Sequence, residues 1–365
     1  MTVESLGPLA RRYEFLDLLR LLCAASVVLF HYGTVFPHSG VLPLRFSFVP
    51  DVLVYGQFGV QIFFMISGFV ITLSARGRGP FAFAWARFLR LYPAYWICCT
   101  LTALAIVIGG RVHPTVWAPD LFHYLVNMTM VQAFVHVPFV DGVYWSLIVE
   151  LRFYIIVILC LVLRRRIDAL WLLAAWLLAC AIAPHAPAIL GKAAMTDHAP
   201  YFIVGILAQR LGEHRHTAVK LVLIVAALLL ASKGIYAVAA TPAAHAAYPY
   251  FPGIAVAVIW CGALLVGCCV FLPAPSPRLT RILVTIGATT YPLYLLHSSF
   301  GAVLFVRLQD RGPTVMVWLG VVAIVFGVTL LISEKVEPAV RNRLRTLGKR
   351  LAVPEPARVA GKQVA

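Results

Sequence analysis

The chain has 365 residues, 62% of them hydrophobic and only 12% charged, and its mean hydropathy is +0.91. A soluble globular protein is roughly half apolar and about a quarter charged, so this composition excludes a soluble domain and indicates a polytopic membrane protein. The formal net charge of +16 sits in short clusters between apolar runs, where Lys and Arg set topology, and no basic soluble domain exists to hold nucleic acid.

Met1 to Glu14 carries charges and a proline but no cleavable signal pattern, so the first apolar run is expected to be retained as a span. Runs long enough to cross about 30 Å of hydrocarbon predict about ten transmembrane helices, at roughly 15–36, 52–74, 88–109, 144–163, 169–184, 198–210, 218–236, 251–272, 282–305 and 314–333. The fifth and sixth are short, and Pro184, Pro187 and Pro200 interrupt that region; nine or eleven spans are the alternatives. The expected fold is an all-α polytopic membrane helix bundle, with a cytoplasmic N-terminal segment 1–14, a transmembrane domain 15–333 and a basic tail 334–365. Loops on one side hold Arg11, Arg12, Arg76, Arg78, Arg87, Arg90, Arg164 to Arg166, Arg210, Arg215, Lys220, Arg278 and Arg281; the other side holds Arg45, Arg111, Lys192, Lys233, Arg307 and Arg311. That asymmetry places both termini in the cytoplasm.

The largest outer loop, about 110–143, contains Trp117, Asp120, His123, Asn127, His136 and Asp141, and its stretch Leu121 to Phe134 is expected to form an interfacial helix. A second outer loop, about 237–250, is rich in Ala, Pro and Tyr. The tail carries Arg341, Arg343, Arg345, Lys349 and Arg350 on what reads as a basic helix along anionic lipid, with disorder expected after Pro354. The eight cysteines fall nearly all in apolar runs without metal-type spacing and read as packing residues. No repeat with matched broken helices, the usual pointer to a transporter, is visible.

Five constellations can carry chemistry. Asp17, Arg20, Ala24, Val27 and His31 recur at helical spacing and share one face, with Arg20 and His31 about 16 Å apart along the axis. Either Asp17 and Arg20 pair at the interface while His31 reaches outward, or Arg20 clamps a phosphate or carboxylate and His31 is a general base. Arg87 and Arg90, one turn apart, either hold a bis-phosphate such as the head of coenzyme A or anchor the inner surface. Ser146, Glu150 and Tyr154 share a face at i,i+4 spacing. Glu150, at a depth similar to that of His31, either orients it, holds an acceptor hydroxyl, or pairs with Arg152 or another helix. Gly68 permits close helix approach and Ser67 can hydrogen-bond across it; no Gly-x-Ser-x-Gly elbow marks a serine nucleophile. Pro292 is expected to kink its span and free a carbonyl, and His297 is a satisfied interior group or a ligand.

Together these residues resemble the acyltransferase-3 family of integral membrane acyltransferases. The resemblance is carried by Arg20-x10-His31, Phe63-Phe64-x-x-Ser67-Gly68-Phe69-x-Ile71, Arg87-x-x-Arg90-x-x-Pro93, Trp145-Ser146-Leu147-x-x-Glu150-x-x-Phe153-Tyr154 and Tyr291-x-x-Tyr294-Leu295-x-His297. These motifs run in family order over about residues 12–333. The chain departs from the pattern at Ser298 and Ser299, where a proline or bulky apolar residue is expected, and carries no SGNH-type hydrolase domain, so a stand-alone membrane module is expected.

The resemblance implies transfer of an acyl group, commonly acetyl from cytoplasmic acetyl-CoA, to a sugar hydroxyl of a cell-envelope or secreted glycan. It implies a multi-pass protein of the cell membrane, the inner membrane in a Gram-negative bacterium. His31 is then the expected catalytic base with Glu150 orienting it, Arg20, Arg87 and Arg90 bind the donor, and Asp17, Ser67, Trp145, Ser146, Tyr154, Tyr291 and His297 support the site. His31 either deprotonates the acceptor or carries the acyl group transiently. The expected partners are acyl-CoA, a glycan or lipid-linked sugar, and membrane lipids, with no metal and no permanently bound cofactor. The rival classes are a transporter or flippase for a lipid-linked sugar, and a non-catalytic partner in a polysaccharide machine.

Overall fold

A computed structural model describes residues 13–43, 50–109, 118–185, 187–241 and 249–350. The N-terminal segment up to residue 12, Arg45, Arg111, Trp117, most of the second outer loop and the tail beyond residue 350 lie outside the described residues. Within them the chain is all-helical, without a strand. Among the described residues seven stretches are long and apolar enough to cross a membrane: Glu14–His38, Val54–Ala75, Pro80–Gly109, Gly142–Val162, Thr217–Ala239, Pro277–Leu296 and Thr314–Gly348. Large side chains such as Leu22, Ile108, Leu159, Val222 and Met316 stand exposed on the bundle's outer surface, the reverse of what water would permit on this scale and what lipid requires. The protein is a multi-pass membrane helix bundle.

The helices that build the site are α1 (Glu14–Phe30), α2 (Gly59–Ala75), α3 (Pro80–Gly109), α4 (Leu121–Met128), α5 (Trp145–Val162), α6 (Leu170–Ile182), α7 (Ala199–Gln209), α8 (Thr217–Ala239), α9 (Pro252–Cys268), α10 (Pro277–Leu296), α11 (Ser299–Leu308), α12 (Thr314–Leu331) and α13 (Glu337–Arg350). α1 continues through a π-helical turn, His31–Val35, to His38. A second π turn, Ile332–Val336, joins α12 to α13.

Three sequence expectations change. The predicted fifth span, 169–184, is the helical stretch Leu170–His185, close to its expected bounds, but the sixth is α7, of 11 residues, which rise about 16 Å, half of the hydrocarbon thickness. Every residue of α7 is buried, so its apolar sequence reflects protein on all sides. The predicted ninth span, 282–305, is two helices, because the backbone breaks at Ser298 (φ −78°, ψ −92°). The Ser299 amide there donates to Oδ2 of buried Asp141 at 2.7 Å, a side-chain cap for the first amides of α11. The predicted interfacial helix Leu121 to Phe134 is α4 alone, capped by Asp120, followed by turns and a short 3₁₀ segment at Gln132–Phe134.

Small residues set the tightest crossing. An added Cβ at Gly68 would strike the Phe202 carbonyl, and one at Gly205 would strike the Met65 carbonyl, so α2 and α7 meet backbone to backbone, as the Gly68 reading expected. At one end of this pair Asp168, buried in the loop before α6, accepts from Arg166 at 3.0 Å and Arg76 at 3.3 Å and lies 3.7 Å from Arg210. Burial alone pushes Asp168 up, but the Arg166 hydrogen bond and the charges of Arg166, Arg210 and Arg76 hold it below the ordinary carboxylate value.

Pro292 frees the carbonyl of Ala288, four residues before it. Ser333, in the second π turn, donates its hydroxyl to that carbonyl at 3.3 Å, so the freed acceptor ties α10 to the start of the C-terminal helix.

Candidate active site

One end of the site is set where α1 crosses α10. Asp17 is buried, and an added Cβ at Gly287 would lie 2.6 Å from its carboxyl carbon; only glycine leaves room for the acid. Asp17 Oδ1 accepts from Arg20 Nη1 at 2.8 Å, the i,i+3 pair foreseen from the sequence. This pair anchors Arg20 on the face that also carries His31.

At the far end of α1, His31 opens the π turn, a distortion that re-aims side chains and recurs at functional sites. Its Nδ1 lies 2.9 Å from the Val27 carbonyl and 3.3 Å from Nε2 of His297, and the two rings meet edge to face. His297 is fully buried, and its own Nδ1 lies 2.7 Å from the Tyr294 carbonyl. A carbonyl can only accept, so both Nδ1 atoms carry the proton. The one Nδ1–H of His31 is then shared between the Val27 carbonyl and Nε2 of His297, which leaves the lone pair on His31 Nε2. The pair fixes which nitrogen of His31 can take a proton, the part a carboxylate plays for the base in a hydrolytic triad.

The third wall is α5, whose Ser146, Glu150 and Tyr154 line one face as expected. Ser146 Oγ is 2.7 Å from the Tyr294 hydroxyl, which also donates to the Val143 carbonyl at 3.1 Å. One turn on, Glu150 Oε1 accepts from Ser67 of α2 at 3.1 Å and from Tyr154 at 2.8 Å. The Tyr154 ring lies under the Arg87 guanidinium at 6.0 Å. Ser146 to Tyr154 covers about 12 Å, and along it the surroundings pass from the imidazole pair to the arginines.

Arg87 and Arg90 of α3 form the opposite end. Arg87 also stands over Phe83 at 5.7 Å, and Arg90 over Tyr291 of α10 at 5.6 Å. Tyr291 donates to the Leu91 carbonyl at 3.4 Å. Asp17, Arg90 and Glu150 act electrostatically on Arg20, so α1, α3 and α5 bring three guanidiniums, Arg20, Arg87 and Arg90, and two carboxylates, Asp17 and Glu150, to a common region, with Tyr291 of α10 beneath Arg90. Among the described residues no three His, Cys, Asp or Glu side chains converge as a metal site.

Two expected pairings are replaced. Glu150 makes its hydrogen bonds to Ser67 and Tyr154, and the group against His31 is His297: equal depth on two helices does not make neighbours when each rotates its side chain elsewhere. The alternative Glu150–Arg152 pair is not formed either, since Arg152 stands over Phe134 at 5.4 Å. Trp145 packs against Phe64 and His198 on the rim, with 38% of its surface exposed. Between α3 and α5, Asn127 is a buried brace: its amide donates to the His123 and Pro138 carbonyls, and its oxygen accepts from the Val140 amide. Asp141 is the cap described above. Neither is available to a ligand. Sequence reasoning gave no sign of Ser333 or Asp141 as ties between distant helices, because both act on backbone groups that no motif displays.

A family model described as an acyltransferase domain, of the acyltransferase-3 type, matches residues 13–334. Over 166 residues the chain is 34% identical to "Nodulation protein 10" of Rhizobium leguminosarum bv. viciae, covering 41% of this chain and 44% of that protein. Over 135 residues it is 30% identical to "Acyltransferase MdmB" of Streptomyces mycarofaciens, covering 35% of this chain and 34% of that protein. The chain thus spans less than half the length of either of these curated relatives. No solved structure matches it. The match over nearly all of the bundle, on the helices that carry Arg20, His31, Arg87, Arg90, Glu150 and His297, shows that the chain belongs to the acyltransferase-3 family.

Proposed function

We propose that the protein is a membrane-embedded O-acyltransferase that moves an acyl group, acetyl in the favoured case, from cytoplasmic acyl-CoA to a hydroxyl of a cell-envelope or exported glycan. In this reading the bundle has about ten membrane-crossing segments, both termini are cytoplasmic, and it lies in the cell membrane. The observation that carries it is the division of the site: a tautomer-locked imidazole pair at one end and guanidiniums at the other, joined along one face of α5.

Arg87, Arg90 and Arg20 suit the donor's phosphates, and the roughly 16 Å from Arg20 to His31 along α1 suits an extended pantetheine arm. His31 Nε2, unprotonated, takes the proton of the acceptor hydroxyl as its oxygen attacks the thioester carbonyl. The C–S bond then breaks, and the proton passes to the departing thiolate to give free CoA. In the covalent alternative His31 Nε2 attacks the thioester carbonyl, the C–S bond breaks and the thiolate takes up the Nδ1 proton to leave free CoA and a neutral acyl-imidazole; the acceptor oxygen then attacks, the N–C bond breaks, and the hydroxyl proton returns to the imidazole. His297 holds His31 in the reactive tautomer and delocalises part of the charge that develops on it. Glu150, held by Ser67 and Tyr154, sits between the two ends, where it can receive an acceptor hydroxyl.

The test is release of free CoA and labelled product from radiolabelled acetyl-CoA by purified protein, wild type beside His31→Ala and Arg90→Ala. Turnover in the wild type, lost in His31→Ala and shifted to higher KM in Arg90→Ala, supports the proposal. An active His31→Ala variant overturns it. Movement of a lipid-linked sugar without acyl-CoA identifies a transporter instead.

A further inference from the structure

The C-terminal helix was expected to lie on anionic lipid, its cations facing outward. The structure turns part of it inward. Arg341, Leu344, Arg345 and Gly348 form the less exposed stripe of α13, whereas Asn342, Arg343, Thr346 and Leu347 are exposed; the spacing is that of one helix face. An added Cβ at Gly348 would lie 2.6 Å from the Trp85 ring, so α13 is seated on α3, two residues from Arg87. The Arg341 side chain is 14% exposed, and its Nη1 reaches Glu337 Oε1 only at 3.5 Å.

Arg341 interacts electrostatically with Arg90 and Arg345, and Arg90 with Arg20. With Gly348 seated on Trp85, α13 brings Arg341 and Arg345 to the helix that carries Arg87 and Arg90, and like charges within electrostatic reach of one another repel. The carboxylates nearby are engaged: Asp17 with Arg20, Glu150 with Ser67 and Tyr154, Glu337 with Arg341. Two nitrogens of the cluster, Arg87 Nε and Arg341 Nε, are buried without a hydrogen-bond acceptor. A buried guanidinium N–H without an acceptor is costly, and two of them in a cluster of net positive charge call for a ligand with well-separated anionic oxygens.

We propose that α13 is a wall of the donor site, with Arg341 and Arg345 holding the 3′-phosphate of acyl-CoA while Arg87 and Arg90 hold its diphosphate. This rests on the donor role of Arg87 and Arg90 proposed above and adds a segment, and a selectivity for the 3′-phosphorylated nucleotide, that those residues alone do not supply. An anionic lipid headgroup offers the same phosphate chemistry.

The experiment compares acetyl-CoA with acetyl-(3′-dephospho)-CoA on full-length protein in nanodiscs of zwitterionic lipid, for wild type, Arg341→Gln, Arg345→Gln and Arg341→Lys. The wild type should prefer the 3′-phosphorylated donor by about ten- to hundredfold in KM, the size of a lost charged hydrogen bond. Arg341→Gln should erase most of that preference by raising KM for acetyl-CoA toward the value for the dephospho donor, and Arg341→Lys should restore part of it. Where Arg341→Gln yields no folded protein, the half-buried Arg345 is read by the same ratio. Equal preference in wild type and variants overturns the proposal while leaving the transferase reading intact, as does a variant defect that arises only in nanodiscs containing phosphatidylglycerol, which assigns the cluster to a lipid headgroup. A wild type that uses neither donor overturns both.

Discussion

Nε2 of His297 lies 3.3 Å from Nδ1 of His31, across 266 residues of sequence. Because His297 Nδ1 is held by the Tyr294 carbonyl at 2.7 Å, one protonation pattern satisfies the whole chain of contacts and leaves the basic lone pair on His31 Nε2. His297→Ala should lower kcat for acyl transfer about 100-fold or more, within the range for a positioned base, with KM for acetyl-CoA little changed. His297→Gln, whose amide oxygen can still accept from His31 Nδ1, should recover part of the rate. Steady-state release of CoA checks both; a His297→Ala variant with full kcat removes His297 from the mechanism.

Glu150 is the carboxylate shared by Ser67 of α2 and Tyr154 of its own helix. Ser67→Ala and Glu150→Gln should therefore couple in a double-mutant cycle on kcat/KM, with an interaction energy of about 0.5–3 kcal/mol. Glu150→Gln paired with His297→Ala should be closer to additive, since no hydrogen bond links the two residues. The reverse ranking would restore Glu150 to the imidazole.

The Gly68–Gly205 crossing has no spare volume. Gly68→Ala and Gly205→Ala should each destabilise the protein by about 1–3 kcal/mol or more, the usual cost of overpacking. Gly234, where an added Cβ meets nothing within 4 Å, should tolerate alanine. Thermal unfolding in one detergent, followed by loss of the monodisperse peak, ranks the three.

Asp168 sits among Arg76, Arg166 and Arg210 with its pKa held down by them. A folded value below the unfolded one means that the ionised form stabilises the fold at neutral pH and down to the unfolded value near pH 4. That contribution is lost as pH falls further, through the depressed folded value. Asp168→Asn should cost about 3–5 kcal/mol at pH 7, because it strips the arginines of their buried counter-charge. Its melting temperature should also fall less than that of the wild type between pH 4 and pH 2. Parallel curves for the two proteins would show that Asp168 carries no such charge.

The sequence by itself determined the membrane class, the order of the apolar runs, the face shared by Ser146, Glu150 and Tyr154, and the carbonyl freed by Pro292, and it offered the Asp17–Arg20 pair as one of two readings. Each follows from composition or from a period within one helix, and a period reports which residues share a face. Only the tertiary structure decided that His297 meets His31, that Glu150 turns to Ser67, that α7 is wrapped by protein on every side, and that α13 is seated on α3 beside Trp85. Depth along a helix is one coordinate, and the rotation of each helix about its axis, set by packing at positions such as Gly68 and Gly287, is another that no single run encodes. The same limit hid the complete burial of α7 and the break at Ser298. An apolar side chain is equally at home against lipid and against another helix, so hydropathy runs on through places where the backbone has already stopped or turned inward.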